Sequence, residues 1–75
     1  MARLAGLSGR EVVRALERLG FANKRQRGSH VVMRKETPEG PVGTVVPLHR
    51  ELAEGTVRGI LGQARITVEQ FLTAL

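Results

Sequence analysis

The stretch Phe21-Ala-Asn-Lys-Arg-Gln-Arg-Gly-Ser-His-Val-Val-Met-Arg-Lys35 decides the fold, because the helical spacing of apolar residues ends before it. Residues 21–27 and 29–35 are short strand candidates, and the second is rich in β-branched and apolar side chains. Gly28 separates them, and a tight turn or a bulge is expected there. The stretch therefore predicts two neighbouring strands.

The residues after these strands predict a loop and a third strand. The seven residues 37–43 contain two prolines and two glycines, a composition typical of a loop. Residues 44–47 then predict a strand, which can pair antiparallel with the second across that loop. Pro47 marks the end of this strand or a sheet edge, since proline has no amide proton for a ladder. Together the three strands form a meander.

A first helix over residues 9–19 is predicted before the strands. Ser8 followed by Glu11 is a capping-box pattern, with a hydrophobic staple around it, and Gly20 ends the helix. The apolar positions of this helix, which form one stripe, are Val12, Leu16 and Leu19. Its charged residues, which we expect to face water, are Arg10, Arg14, Glu17 and Arg18.

Two more helices are predicted after the strands. The spacing of apolar residues from Val57 to Ala64 indicates a helix that begins near Thr56. Thr67 with Gln70 forms a second capping box, which opens a short helix at the end of the sequence. Gly59 and Gly62 weaken the first of these helices. We interpret them as sites of close helix packing and not as the Gly-x-x-Gly backbone clamp of a KH domain.

This order of elements predicts an α+β fold, with a three-stranded antiparallel sheet and helices on one face. At 75 residues, the chain is expected to form one domain, residues 1–75, because so short a chain buries only about 60% of its unfolded surface. It has no cysteine, and its two histidines and its glutamates offer few ligands for a metal site, so we expect no metal or cofactor. We find no signal peptide or apolar run long enough for a membrane span, and expect a cytoplasmic protein.

The net charge of +5 is concentrated in one part of the sequence. Residues 21–35, called the basic window here, contain five basic residues and no acid, and charges in the rest of the chain cancel. The basic residues of the window are Lys24, Arg25, Arg27, Arg34 and Lys35. They indicate a surface that binds nucleic acid, although a solvated pair of basic strands is the simpler alternative. A membrane-surface role is less suitable, because no strongly apolar helical face is interleaved with them.

His30 is the best candidate for a catalytic residue, because it lies inside the basic window. Histidine exchanges protons near neutral pH, and cleavage of RNA needs a base, an acid and cations for the charge on phosphorus. His49 follows Pro47-Leu48 at the exit of the third strand. It is a possible second acid or base, but a structural role at the entry to the next helix is the favoured interpretation. No other set of side chains indicates hydrolase chemistry.

An ordered series of motifs along the whole chain resembles the HicA toxin family. The series is Gly20-Phe21, Gly28-Ser29-His30, Val45-Val46-Pro47-x-His49, Gly55-Thr56-Val57-Arg58-x-Ile60-Leu61-x-Gln63-Ala64 and Ile66-Thr67-x-Glu69-x-Phe71-Leu72. The resemblance implies a fold like the double-stranded-RNA-binding domain, α-β-β-β-α, and an mRNA interferase with His30 as its catalytic histidine. It also implies a HicB-like antitoxin as partner. Arg65 departs from the family pattern, which commonly has glycine there.

The sequence thus predicts a metal-independent endoribonuclease, with His30 as general acid or base and the basic window as its RNA-binding surface. One alternative is a non-catalytic RNA-binding module of the same fold that recognises duplex RNA by shape. A DNA-binding regulator is less suitable, because no helix presents an obvious recognition face.

Overall fold

A computed structural model describes residues 4–75 and contains three helices and three strands. The elements are α1 (Gly9–Arg18), β1 (Ala22–Arg27), β2 (His30–Thr37), β3 (Gly40–Pro47), α2 (Glu54–Ala64) and α3 (Val68–Ala74). This order confirms the predicted α+β class, α-β-β-β-α with a short extra helix at the end. No helix in this part of the chain is long and apolar enough to cross a membrane.

The strands form an antiparallel sheet in the order β1-β2-β3, with β2 in the centre. Along β2, Val31 and Met33 are buried, whereas His30 and Arg34 are exposed, so the two faces of the sheet differ. Val46 of β3 is buried on the same face as Val31, its partner across the ladder. The helices therefore cover one face, as predicted. The other is called the open face below.

The helices and the covered face of the sheet enclose one hydrophobic core. The side chains of Val12 and Leu16 from α1 are fully buried there, together with Phe71 from α3. Further core residues from the sheet, α2 and the connections are Phe21, Val31, Met33, Val42, Val46, Leu52, Val57, Ile60 and Leu61. The helices and the strands β2 and β3 each have one apolar side that they bury against one another, whereas β1 is exposed along its whole length.

Both predicted capping boxes are present. The amide of Glu11 donates to Ser8 Oγ at 3.1 Å, and the amide of Ser8 donates to Glu11 Oε1 at 2.9 Å. The same reciprocal bonds join Thr67 and Gln70 at the start of α3. Each box satisfies two amide groups that an isolated helix end leaves unpaired, and so fixes where the helix begins.

The predicted loop over residues 37–43 is wrong. The chain turns through Pro38 and Glu39 alone, and β3 begins at Gly40 instead of Thr44. Pro41 lies inside β3, which is possible because β3 is an edge strand with one side free of ladder hydrogen bonds. The prolines and glycines do accompany a turn, but pairing with β2 makes residues 40–43 part of a strand.

Helix α2 begins at Glu54, two residues before the predicted start near Thr56, and extends to Ala64, the last apolar position of the predicted stripe. Ala53 at its N-cap provides no side-chain hydrogen bond. The carboxylate of Glu54 in the first turn complements the helix dipole and accepts a hydrogen bond from Arg58 Nε at 2.9 Å. The helix ends at Arg65, which adopts the left-handed conformation with φ 58° and ψ 45°. Glycine adopts this conformation more easily, so the family departure at Arg65 carries a conformational cost.

The interpretation of Gly59 and Gly62 as close-packing sites is also wrong. Both glycines are exposed on the outer side of α2, and a Cβ atom at either position would meet nothing within 4 Å. The glycine that does permit a close approach is Gly9, at the start of α1. A Cβ atom there would lie 2.0 Å from the carbonyl oxygen of Pro47 and 2.7 Å from Leu48 Cα.

These two environments predict opposite effects of the same substitution. Gly59→Ala should stabilise the protein by about 0.5–1 kcal/mol, because alanine restricts the unfolded chain and suits a helix interior. Gly9→Ala should destabilise it by about 1–3 kcal/mol, because the first turn of α1 must move away from β3. Thermal or urea unfolding of both variants beside the parent measures the differences. A stabilised Gly9→Ala variant would contradict the close approach.

Candidate nucleic-acid interface and histidine pair

A β-bulge in β1 places two arginines of the basic window on the open face. The bulge is one extra residue, Lys24, which has no partner on β2. After it, Arg27 pairs with His30, and Arg25 lies on the same face two residues earlier. Without the extra residue, Arg25 would lie opposite Val31, on the face of the sheet that carries the helices. The bulge therefore places both arginines on the same face as His30.

The open face combines basic and apolar side chains. Arg34 lies two residues beyond Val32 on β2, and Val45 of β3 is the ladder partner of Val32. Val45 is 45% exposed, because no helix covers this side of the sheet. Arg34 Nε lies 3.0 Å from Glu36 Oε2, but both side chains are more than half exposed, so this ion pair is weak. Arg34 remains available to an anionic ligand.

The two lysines of the basic window have different environments. Lys24 lines a shallow depression together with Arg34, at the edge of the open face. Lys35 is half-buried on the covered side of β2, where its ammonium donates to the carbonyl oxygen of Leu19 at 2.8 Å. The ammonium also lies 5.8 Å from the centre of the Phe21 ring. Lys35 thus stabilises the end of α1, and it also lines the depression that contains Lys24 and Arg34.

The turn between β1 and β2 positions His30. Gly28 and Ser29 form a two-residue turn, and Gly28 has φ +55°. A positive φ at the first turn residue alone is typical of the type II′ turns that suit hairpins. Arg27 and His30 are the pair that closes this turn. The guanidinium and the imidazole therefore project from neighbouring backbone positions on the same face.

The structure brings His49 next to His30. The centres of the two imidazole rings are 6.4 Å apart, and the ring planes meet at 75°. Both histidines are exposed, and neither ring makes a hydrogen bond within residues 4–75. Two groups capable of proton transfer thus face solvent at one end of the open face.

Backbone hydrogen bonds hold His49 in this position. The amide of Leu48 donates to the carbonyl oxygen of Ser29, which continues the β2–β3 ladder past its last assigned pair. The amide of Gly9 donates to the carbonyl oxygen of His49 at 2.9 Å. The backbone of His49 therefore makes a structural contact with α1, not with the next helix, and its imidazole makes no hydrogen bond within residues 4–75.

Sequence reasoning missed three features of this site. It did not predict the bulge at Lys24, the role of Gly9, or the proximity of His30 and His49. The Ser8-Gly9 pair gave a weak signal, because glycine is a poor helix residue directly after a good N-cap and so suggests a close contact. Among residues 4–75, no three histidine or glutamate side chains lie close enough together to hold a metal ion.

Comparison with protein-family models gives a match over most of the chain. The family model described as the HicA toxin of bacterial toxin-antitoxin systems matches residues 9–66 of the 75-residue chain. The matched segment begins at α1 and extends just past α2, so it contains the whole sheet, the bulge and both histidines. No curated protein matches the chain.

The open face predicts where a polyanion binds. Replacing both Arg25 and Arg27 with Gln should flatten the slope of log affinity against log salt for single-stranded RNA, because each lost phosphate contact removes roughly 0.7 from it. The matched control replaces Arg10 and Arg14, two exposed arginines of α1, with Gln and should leave the slope unchanged. Filter binding or fluorescence anisotropy over a salt series measures both. A flatter slope in the control alone would place the binding surface on α1.

Proposed function

Because the chain belongs to the HicA toxin family, we propose that it is an mRNA interferase, an endoribonuclease that cleaves messenger RNA in the cytoplasm. The observation that carries this proposal is the position of His30 on an open face with Arg25, Arg27 and Arg34. A proton-transfer group thus lies among cations that can hold the phosphate beside it.

The arginines suit the RNA backbone. A guanidinium presents several N–H donors in a planar fork, which can bind two oxygens of one phosphate. Arg25 and Arg27 project from one strand and Arg34 from the next, so they can contact successive phosphates of a strand laid across the sheet. Lys24 adds a charge at the edge. The ammonium of Lys35 donates one of its three N–H groups to Leu19, so we propose it as a further phosphate contact at the same edge.

His30 is proposed to move a proton at the scissile phosphodiester. Cleavage through the ribose requires removal of the 2′-hydroxyl proton, protonation of the leaving oxygen and stabilisation of the charge on phosphorus. The imidazole of His30 can serve the first or second need, and the nearby guanidinium groups serve the third. These side chains can supply one proton transfer and the charge stabilisation without a metal, and we propose a metal-independent reaction. RNA cleavage that persists in excess chelator would support it.

Substitution of His30 tests the catalytic assignment. His30→Ala should reduce RNA cleavage by about 10²- to 10⁴-fold, the usual contribution of a general acid or base. The exposed side chain makes no hydrogen bond within residues 4–75, so the variant should fold normally by circular dichroism. It should also retain RNA affinity, because the arginines remain. A folded variant that cuts RNA at the parent rate would contradict the assignment.

The same variant separates catalysis from binding. If the parent protein binds RNA with the expected salt dependence but leaves the RNA intact, the chain is a non-catalytic RNA-binding module. If the parent cleaves RNA and His30→Ala only binds it, the proposed function holds.

We further propose a HicB-like antitoxin that inhibits the protein by covering the open face. Membership of a toxin family implies an antitoxin, and the basic side chains on this face select a partner with carboxylates. Complementary charge also speeds association, which an inhibitor of a nuclease requires. A partner bound there would exclude RNA and cover His30 at the same time.

Hydrogen exchange on the toxin–antitoxin complex tests this location. Binding of the neighbouring gene's product should protect amides of β1 and of the Gly28-Ser29 turn, and should suppress RNA cleavage in equal molar ratio. Replacing Arg25 and Arg27 with Gln should slow association, whereas the Arg10 and Arg14 double variant should not. Suppressed cleavage with protection confined to α1 and α3 would mean that inhibition acts from a distance.

A further inference from the structure

We propose that His49 is the second catalytic residue and that His30 and His49 divide the two proton transfers of RNA cleavage. The inference rests on the proposed function and adds a residue to it. Its basis is the 6.4 Å separation of the two imidazole rings at one end of the open face.

The geometry of the reaction requires two separate proton-transfer groups. The attacking and leaving oxygens lie roughly in line on opposite sides of phosphorus, so one imidazole cannot contact both at once. A catalytic group must approach its oxygen within about 2.6–3.2 Å. Rings whose centres are 6.4 Å apart leave room for a phosphate group between them and still allow each ring to reach one oxygen.

The proposed step balances without water or a cofactor. One imidazole, in its neutral form, accepts the proton of the ribose 2′-hydroxyl while the 2′-oxygen forms a bond to phosphorus. The bond from phosphorus to the 5′-oxygen breaks, and the other imidazole, in its protonated form, donates its proton to that oxygen. The products are a 2′,3′-cyclic phosphate and a free 5′-hydroxyl end. Guanidinium groups of Arg27 and its neighbours offset the negative charge of the phosphoryl oxygens.

The fold holds His49 by its backbone and leaves its side chain unused. The carbonyl oxygen of His49 accepts from Gly9, and Leu48 pairs with Ser29 on the other side. The amide of Leu52 donates to the carbonyl oxygen of Leu7 at 2.7 Å, which ties down the same connection further along. These bonds involve no side chain, so they persist when His49 is replaced. Within residues 4–75, no hydrogen bond of the imidazole supports a purely structural role for it.

The test compares RNA with a substrate that needs no general acid. A ribonucleoside 3′-phosphodiester with 4-nitrophenol as leaving group expels a stable anion, so loss of the acid matters little, whereas loss of the base still matters. Three variants are compared with the parent: His30→Ala, His49→Ala and Glu51→Gln. The last is the matched control, an exposed residue on the same connection with no part in the proposed step.

We expect both histidine variants to lose about 10²- to 10⁴-fold on RNA. On the nitrophenyl substrate, one of them should return to within about tenfold of the parent and the other should not, which identifies the acid and the base. Glu51→Gln should match the parent on both substrates. RNA fragments should carry 2′,3′-cyclic phosphate and 5′-hydroxyl ends.

Three results would overturn the inference. One is a His49→Ala protein that cleaves RNA within about threefold of the parent, and another is an equal loss for both histidine variants on both substrates. The third is RNA fragments with 5′-phosphate ends. In each of these cases the parent still cleaves RNA, so the proposed function stands. A parent protein that binds RNA without cleaving it would refute the function and the inference together.

Discussion

The contact between the first turn of α1 and the end of β3 links the helical layer to the histidine pair. The amide of Gly9 reaches the carbonyl oxygen of His49, and the absence of a Cβ atom lets the helix approach the backbone of Pro47. The Ser8 capping box fixes where α1 begins, and therefore fixes this contact. The position of α1 in the core and the position of His49 beside His30 are thus linked, because a displacement of α1 would also displace the backbone of His49.

A second constraint is the single extra residue in β1. Side chains alternate between the faces of a sheet, so an insertion of one residue transfers every later side chain to the opposite face. The bulge at Lys24 does this for Arg25 and Arg27, and the turn at Gly28 then brings His30 into the same row. Because of this one-residue shift, Arg25 and Arg27 of the basic window lie on the same exposed face as His30. Lys35, on the covered face of β2, stabilises a helix end instead.

The sequence predicted those features that depend on interactions between residues close together in the chain. Both capping boxes, the start of α1 and α3 and the first two strands follow from side chains within a few residues of each other, and the structure confirms them. Features that depend on distant partners were not predictable. Residues 40–43 are a strand because β2 lies beside them, and Gly59 is exposed because α2 turns its apolar side to the core. The distance between His30 and His49 likewise depends on register, which no local pattern specifies.

The chemistry of the open face limits how this protein can be specific and how it can be controlled. Its side chains are mainly arginines and valines, with Glu36 beside Arg34 and the histidine pair at one end. Arginines suit phosphate, and these groups offer few fixed contacts to base edges. Phosphate contacts position a nucleic acid without reading its sequence, so the face itself supplies affinity more than selectivity. The imidazoles are exposed, so the proposed catalytic groups need no lid to assemble them. A partner that occupied the arginines and covered His30 would be the most direct control, because it would compete with the proposed RNA substrate for the same charges.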